Sequence, residues 1–308
     1  MTKQMKTNIL KYWKPFAAVS FWGFSFVATK IALDELVPLT LILLRLFLGV
    51  IFLTSIAVYT KRDFSVNLKS HGGILILALI AVFHLWIQVT GLQYTTAAKT
   101  GWIIGMTPVF MALLGLAVFK ESLTLIKTSG ILVAFFGLIL LISHGDLSSI
   151  DLISNKGDFL ILGSSFTWAV YSIVNKKISL NYPPMMTILF LFLMMGIIIS
   201  PFTINDASIQ SVIHLTFKGW IAILFLGILC SGAAYVMWAQ ALKEMESTKV
   251  GAFLYFEPFV TVIAARIVLN ERITLLMILA GIIITLGVVL VNVNLKKIVL
   301  YKKSKKDM

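Results

Sequence analysis

The sequence predicts an all-α integral membrane protein with ten transmembrane helices, and three observations lead to this class. Of the 308 residues, 59% are apolar and only 13% are charged, whereas a soluble domain has roughly 45–50% apolar and about 25% charged residues. The mean hydropathy is +0.97. Apolar runs of about 20 residues, the length that crosses the hydrocarbon core, follow one another along almost the whole chain.

Ten apolar runs are long enough to be spans. They lie at 15–33, 38–60, 73–94, 97–119, 124–143, 157–176, 184–204, 218–242, 247–269 and 274–294. The loops between them are too short for a soluble domain. We therefore predict a basic N-terminal tail (1–14), two five-helix halves (15–143 and 157–294), a connecting loop (144–156) and a basic C-terminal tail (295–308).

The charge distribution predicts the orientation of the chain. The net charge is +13, and most of the 26 lysines and arginines lie in the two tails and in alternate loops. Basic residues that flank spans mark the cytoplasmic side, so both termini are predicted to be cytoplasmic, in a bacterial inner or plasma membrane. Charge placed at membrane edges argues against nucleic acid as a partner. The single cysteine, Cys230, excludes an intrachain disulfide and a cysteine-rich metal cluster, and we expect no cofactor or metal.

The two halves of the sequence resemble each other at a fixed offset of 150. Matched pairs of Lys, Gly, Pro and Glu are Lys99/Lys249, Gly101/Gly251, Pro108/Pro258, Glu121/Glu271 and Gly137/Gly287. Each half has five spans, an odd number, so the second half is predicted to cross the membrane in the opposite sense. Inverted repeats are a transporter architecture, since two related halves can open one site alternately to either side. The alternative is a duplication in a membrane protein of another function.

Short motifs then suggest a family. They are Phe21-Trp22-Gly23-Phe24-Ser25-Phe26 with Lys30, Thr107-Pro108-Val109-Phe110 followed by Lys120-Glu121-Ser122-Leu123-Thr124, and Glu257-Pro258-Phe259-Val260 followed by Asn270-Glu271-Arg272-Ile273-Thr274. With Arg45 in the second span, these motifs resemble the EamA branch of the drug/metabolite transporter superfamily, over about 14–294. The resemblance implies a ten-helix secondary carrier, often an exporter of amino acids or other small metabolites. It also implies a central cavity lined by spans 1, 3, 4, 6, 8 and 9.

Polar and aromatic side chains recur at helical spacing on those six spans, which places them on single faces. The candidates for substrate contact are Trp22, His84, Gln88, Trp168, Tyr171, Tyr235, Trp238 and Glu257. An aromatic cavity suits an amphipathic or aromatic solute. The alternatives are that small hydroxyls only join helices and that some aromatics are interfacial anchors.

Three ionisable residues and two prolines have separate predicted roles. Glu257, His84 and Arg45 are candidates for proton coupling or for an ion pair, because charged groups are costly in hydrocarbon and are paired or functional there. Alternatively, Glu257 binds backbone groups freed by Pro258, and His84 joins two helices. Pro108 and Pro258 are candidate hinges, with static curvature as the alternative.

Together these observations predict a secondary active or facilitative exporter of amino acids or similar small metabolites, working by alternating access as a monomer or homodimer in lipid. A nucleotide-sugar or sugar-phosphate antiporter is the first alternative. A membrane-embedded enzyme is less favoured, since no H-E-x-x-H, G-x-S-x-G or Walker A motif is present.

Overall fold

The computed structural model describes residues 12–65, 68–143, 155–178, 182–269 and 275–292. Within those ranges the regular structure is helical, without a strand. The α-helices are α1 (Trp13–Leu33), α2 (Pro38–Tyr59), α3 (Leu68–Gln93), α4 (Ala97–Ile104), α5 (Thr107–Phe119), α6 (Leu125–Ser143), α7 (Lys156–Lys177), α8 (Pro184–Thr203), α9 (Asp206–Ile213), α10 (Phe217–Leu224), α11 (Ala234–Glu244), α12 (Ser247–Gly251), α13 (Phe256–Leu269) and α14 (Leu275–Asn292). A π-helical segment (Phe225–Ala233) joins α10 to α11, and a 3₁₀ turn (Ala252–Tyr255) joins α12 to α13.

The helices are those of a multi-pass membrane protein. In the described part of the chain, seven helical stretches are long and apolar enough to cross a membrane, and a helix satisfies its backbone hydrogen bonds internally, as hydrocarbon requires. Two further apolar helices are shorter, Leu125–Leu140 and Ile278–Asn292. The predicted membrane class is confirmed, and the count of ten spans stays a prediction. Residues 1–11 of the predicted N-terminal tail, most of the connecting loop (144–154) and the predicted C-terminal tail lie outside the described residues.

Both candidate hinge prolines lie where a predicted span is divided. The fourth span breaks between α4 and α5, and Pro108 occupies the first turn of α5. The ninth span breaks at the 3₁₀ turn, and Pro258 is the third residue of α13. Proline is tolerated in a first turn because its missing N–H has no intrahelical acceptor there. Whether the breaks move stays a prediction.

The eighth span is divided differently, by the nine-residue π-helical segment in its middle. This segment packs closely on α2, because a Cβ on Gly227 would lie 2.6 Å from Leu48 Cβ and 3.1 Å from the Arg45 carbonyl oxygen. Gly232 makes a similar approach to Phe52. The two glycines therefore bring the backbone of the eighth span against the part of α2 that carries Arg45.

The helices pair across the two halves of the chain. α1 packs on α11 and α13, α7 packs on α3 and α5, α2 packs on α8, and α6 packs on α14. The α6–α14 contact is very close, because a Cβ on Gly287 would lie 2.4 Å from the Ala134 backbone nitrogen. Residues from both halves of the sequence therefore surround the centre of the bundle.

Candidate substrate-binding site

A narrow cavity of about 30 Å³ lies at the centre of the bundle. Its walls are Trp22, Ser25, Phe26, Arg45, His84, Leu85, Gln88, Ile104, Trp168, Tyr235 and Glu257. These residues come from α1, α2, α3, α4, α7, α11 and α13. The charged and aromatic side chains among them are at most 7% exposed, so they lie in the interior of the bundle.

Aromatic rings form one wall of this cavity. The rings of Trp22 and Trp168 are nearly perpendicular with centroids 4.9 Å apart, and Tyr235 lies 5.8 Å from the first and 5.3 Å from the second. Tyr171 stacks on Trp168 at 5.0 Å, and Trp238 lies 5.2 Å from Trp22. Edge-to-face and offset pairs are the favoured aromatic geometries. Three of the five rings line the cavity, and Tyr171 and Trp238 pack against them from behind.

Within the part of the chain that the structure describes, two buried polar atoms of the cavity residues have no hydrogen-bond partner: Glu257 Oε2 and Trp168 Nε1. A buried polar group without a partner costs about 1–3 kcal/mol, and a buried charge costs more. Arg45 and Glu257 do not form an ion pair with each other in the structure, since no salt bridge within 4.0 Å joins them in the described part of the chain. The site therefore offers an acceptor and a donor that a ligand would satisfy.

His84 is held by α7. Its Nδ1 lies 3.0 Å from the Ser164 carbonyl oxygen and 3.3 Å from Thr167 Oγ1. Because a carbonyl oxygen only accepts, the proton of a neutral His84 resides on Nδ1 and Nε2 is left as an acceptor. The imidazole ring also lies 5.0 Å from the ring of Trp168. His84 therefore joins two helices and lines the cavity at the same time.

Six of the eight residues predicted to contact substrate line this cavity, namely Trp22, His84, Gln88, Trp168, Tyr235 and Glu257, and apolar residues that were not predicted complete its walls. Phe26, Leu85 and Ile104 line the cavity, but no local signal distinguishes them from other apolar residues of their helices. Thr261, four residues after Glu257 on the same helix, donates its hydroxyl to the Gly23 carbonyl oxygen at 3.1 Å. That contact is the helix-joining role expected of a small hydroxyl.

A second polar cluster, the Glu121 cluster, lies at the helix ends and consists of Glu121, Lys176, Ser247 and Thr248. Ser247 donates its backbone N–H (2.8 Å) and hydroxyl (2.7 Å) to Glu121 Oε1, and Thr248 donates the same groups to Oε2 at 3.1 and 2.7 Å. Lys176 Nζ adds a contact of 3.0 Å to Oε1. The Glu121 carboxylate ties the α5–α6 loop to the start of α12. Its repeat partner Glu271 lies outside the described residues.

The Glu121 cluster gives a pH prediction. Burial by itself raises the pKa of Glu121, but the hydrogen bonds from Ser247 and Thr248 outweigh it and lower the pKa to about 2, from an ordinary 4.5. A carboxyl group whose pKa is lowered in the folded state stabilises the fold at pH values above its ordinary pKa. That contribution is lost as the pH falls from about 4.5 towards 2. We expect Glu121→Gln to cost on the order of 2 kcal/mol at pH 7, and the difference from wild type to shrink below pH 4.5.

The measurement is thermal unfolding of both proteins in detergent between pH 3 and 8. Glu244→Gln is the matched control, because Glu244 pairs with Lys14 at a side chain that is 41% exposed, and exposed pairs contribute only about 0–1 kcal/mol. A Glu121→Gln protein as stable as wild type at pH 7 would contradict the prediction.

Comparison with known proteins identifies the family. The model of the EamA-like transporter family matches residues 12–143 and again 155–293. The chain belongs to the EamA-like transporter family. The predicted resemblance is therefore confirmed, and the protein is grouped with transporters, not with enzymes, at the level of the family.

Individual relatives agree with this assignment. The chain is 33% identical over 274 residues to an uncharacterized transporter of Archaeoglobus fulgidus, covering 87% of this chain and 92% of the relative. It is 27% identical over 278 residues to an Escherichia coli protein described as a probable amino-acid metabolite efflux pump, covering 87% and 90%. A crystal structure of 15% identity aligns with a TM-score of 0.70 over 91% of this chain and 95% of that one, which shows a shared fold.

Proposed function

We propose that this EamA-family protein exports amino acids or similar small metabolites across the cell membrane by alternating access through the central cavity. One observation carries the proposal: a buried cavity whose walls combine aromatic rings with a carboxylate oxygen of Glu257 that has no hydrogen-bond partner among the described residues. The carboxylate suits an ammonium group, and the faces of Trp22, Trp168 and Tyr235 suit an apolar or aromatic body. The Escherichia coli relative described as a probable amino-acid metabolite efflux pump supports the same substrate class.

The contacts between the helices support the predicted inverted repeat. A Cβ on Gly137 would lie 2.9 Å from the Ile284 backbone nitrogen, and a Cβ on Gly287 would lie 2.6 Å from Ala134 Cβ. Gly287 and Ile284 follow Gly137 and Ala134 by the repeat offset of 150, so the two contacts are reciprocal, as a two-fold axis requires.

The same exchange relates whole helices. α13 packs on α1 as α5 packs on α7, and α11 packs on α1 as α3 packs on α7. The first two contacts join spans 9 and 1 and spans 4 and 6, and the other two join spans 8 and 1 and spans 3 and 6. Each contact is therefore converted into its counterpart when the spans of one half are exchanged for the corresponding spans of the other half. Two halves related in this way can take each other's conformations, which is the physical basis of alternating access.

The proposed orientation, with both termini in the cytoplasm, has its own test. Green fluorescent protein fused after residue 308 is expected to fluoresce in bacterial cells, because the basic tails favour the cytoplasmic side. In a second fusion, the chain is truncated after the loop at 205–217, which is predicted to face outwards, and green fluorescent protein follows. This fusion is expected to stay dark, because green fluorescent protein that is exported unfolded does not become fluorescent. A dark fusion of full-length, folded carrier would contradict the orientation.

The experiment on the function itself is flux in proteoliposomes loaded with labelled amino acids and small amines, with and without an imposed pH gradient. Saturable, stereoselective flux supports the proposal and excludes a simple channel. Flux that follows the gradient assigns proton coupling, with Glu257 and His84 as the first residues to dissect, and flux that ignores it indicates facilitated export. No flux for any of these solutes would overturn the proposal and favour phosphorylated substrates, although Arg45 is the only lysine or arginine among the cavity-lining residues.

A further inference from the structure

Arg45 is buried at the wall of the central cavity, only 4% exposed, and it faces the π-helical segment. Among the described residues its single hydrogen bond runs from Nε to Ser231 Oγ at 2.9 Å. No carboxylate lies within 4.0 Å of it in that part of the chain. A cation in this position lacks the compensation that buried charges usually have.

The hydrogen bond at Nε leaves the two terminal nitrogens of the Arg45 guanidinium without a partner among the described residues. A guanidinium has five N–H donors in a planar fork, one on Nε and four on the two terminal nitrogens. Ser231 takes the Nε donor, which leaves the terminal pair for another acceptor. Two parallel N–H donors match the two oxygens of a carboxylate, and such pairs are about twice as strong as neutral hydrogen bonds.

The π-helical segment explains why this arrangement is fixed. Gly227 and Gly232 let the segment approach α2 closely, so that the Ser231 hydroxyl reaches Nε of Arg45. The preceding residue, Cys230, accepts a hydrogen bond on its carbonyl oxygen from Trp22 Nε1 at 3.0 Å. One short segment therefore holds both the cation and an aromatic wall of the cavity, and π-helical turns are frequent at functional sites.

We infer that Arg45 binds the carboxylate of the transported solute through its terminal nitrogens, and that Ser231 is a positioning residue that sets the plane of the guanidinium. The inference rests on the proposed function and deepens it. Arg45 and Glu257 line one cavity without pairing with each other, so a solute with a carboxylate and an ammonium group satisfies both. The class selected is a zwitterion with an apolar or aromatic body.

The test compares three probes that differ in one group: L-phenylalanine, L-phenylalaninamide and phenethylamine. Binding of each to the purified full-length protein is measured by calorimetry, and uptake is measured in proteoliposomes. The wild type is expected to bind L-phenylalanine roughly tenfold or more tightly than the two probes without a carboxylate, because a charge-assisted pair in a desolvated site is lost with them.

Three variants separate binding from positioning. Arg45→Gln is expected to bind the three probes within about twofold of each other. Ser231→Ala is expected to lose about threefold of the discrimination, and Ser231→Thr, which keeps the hydroxyl, is expected to restore it. A merely structural role for Ser231 would lower the affinity for all probes together and leave their ratio unchanged.

The outcomes that overturn the inference differ from those that overturn the proposed function. If Arg45→Gln, folded and monodisperse, still prefers L-phenylalanine tenfold, Arg45 does not bind the carboxylate. If the wild type binds phenethylamine and not L-phenylalanine, the zwitterion is excluded while transport of small metabolites stands. If folded wild type neither binds nor transports any of the three, both the inference and the proposed function fail.

Discussion

Glu257→Gln is expected to reduce transport by about 100-fold or more while leaving the amount of folded protein in the membrane unchanged. The substitution keeps the shape of the side chain and removes its charge, so the ammonium group or coupling proton loses its partner, which is worth about 2–5 kcal/mol for a buried charge pair. Folding is spared because Glu257 Oε2 has no hydrogen-bond partner in the described ranges of the chain. Neutralising a buried group without a partner removes a desolvation cost and no interaction.

The measurement is initial flux in proteoliposomes at equal protein content, with fluorescence-detected size exclusion to count folded protein. Glu244→Gln serves as the control, because this glutamate is exposed and lies outside the cavity walls. Flux at the wild-type rate from Glu257→Gln would remove Glu257 from the mechanism. A variant that fails to accumulate would instead assign it to the fold.

Gly287→Val is expected to abolish the folded protein. Any Cβ at this position would lie 2.4 Å from the Ala134 backbone nitrogen and 2.7 Å from its Cα. Backbone atoms cannot rotate out of the way as a side chain does, so α6 and α14 would have to separate. Overpacking a core typically costs about 1–3 kcal/mol, and separating two helices that rely on small residues for close approach costs more.

Size-exclusion profiles and melting temperatures in detergent test this prediction. Gly196→Val is the matched control: Gly196 also lies within a helix, α8, but a Cβ there would meet nothing within 4 Å. We expect the control to behave as wild type apart from the small propensity cost of valine. A monodisperse Gly287→Val protein that melts within a few degrees of wild type would contradict the packing at this interface.

Local sequence signals predicted much of what the structure contains. Apolar length predicted the membrane class, and helical spacing predicted inward faces for Trp22, His84, Gln88, Trp168, Tyr235 and Glu257, which the structure brings into one cavity. The fixed offset of 150 placed Gly137 and Gly287 in register before any contact was known. Such signals are short-range, because a helix repeats its faces every three or four residues.

Other features had no local signal. The sequence of the π-helical segment does not differ from an ordinary apolar run. Its contact with Arg45 depends on α2, which lies about 180 residues earlier in the chain. Glu121 lies in a repeated sequence motif, but its partners Ser247 and Thr248 are more than 120 residues away. Spacing along one helix carries no information about which distant helix packs against it.

By itself, the amino-acid sequence determined that this chain belongs in a membrane, as helices, in two related halves. Composition and periodicity are sufficient for that, since hydrocarbon accepts only backbone groups that are satisfied within the segment. Only the tertiary structure decided which polar groups find partners. Ser231 accepts a hydrogen bond from Nε of Arg45, while Glu257 Oε2 has no hydrogen-bond partner among the residues that the structure describes, because the packing of helices distant in sequence sets the surroundings of each buried atom.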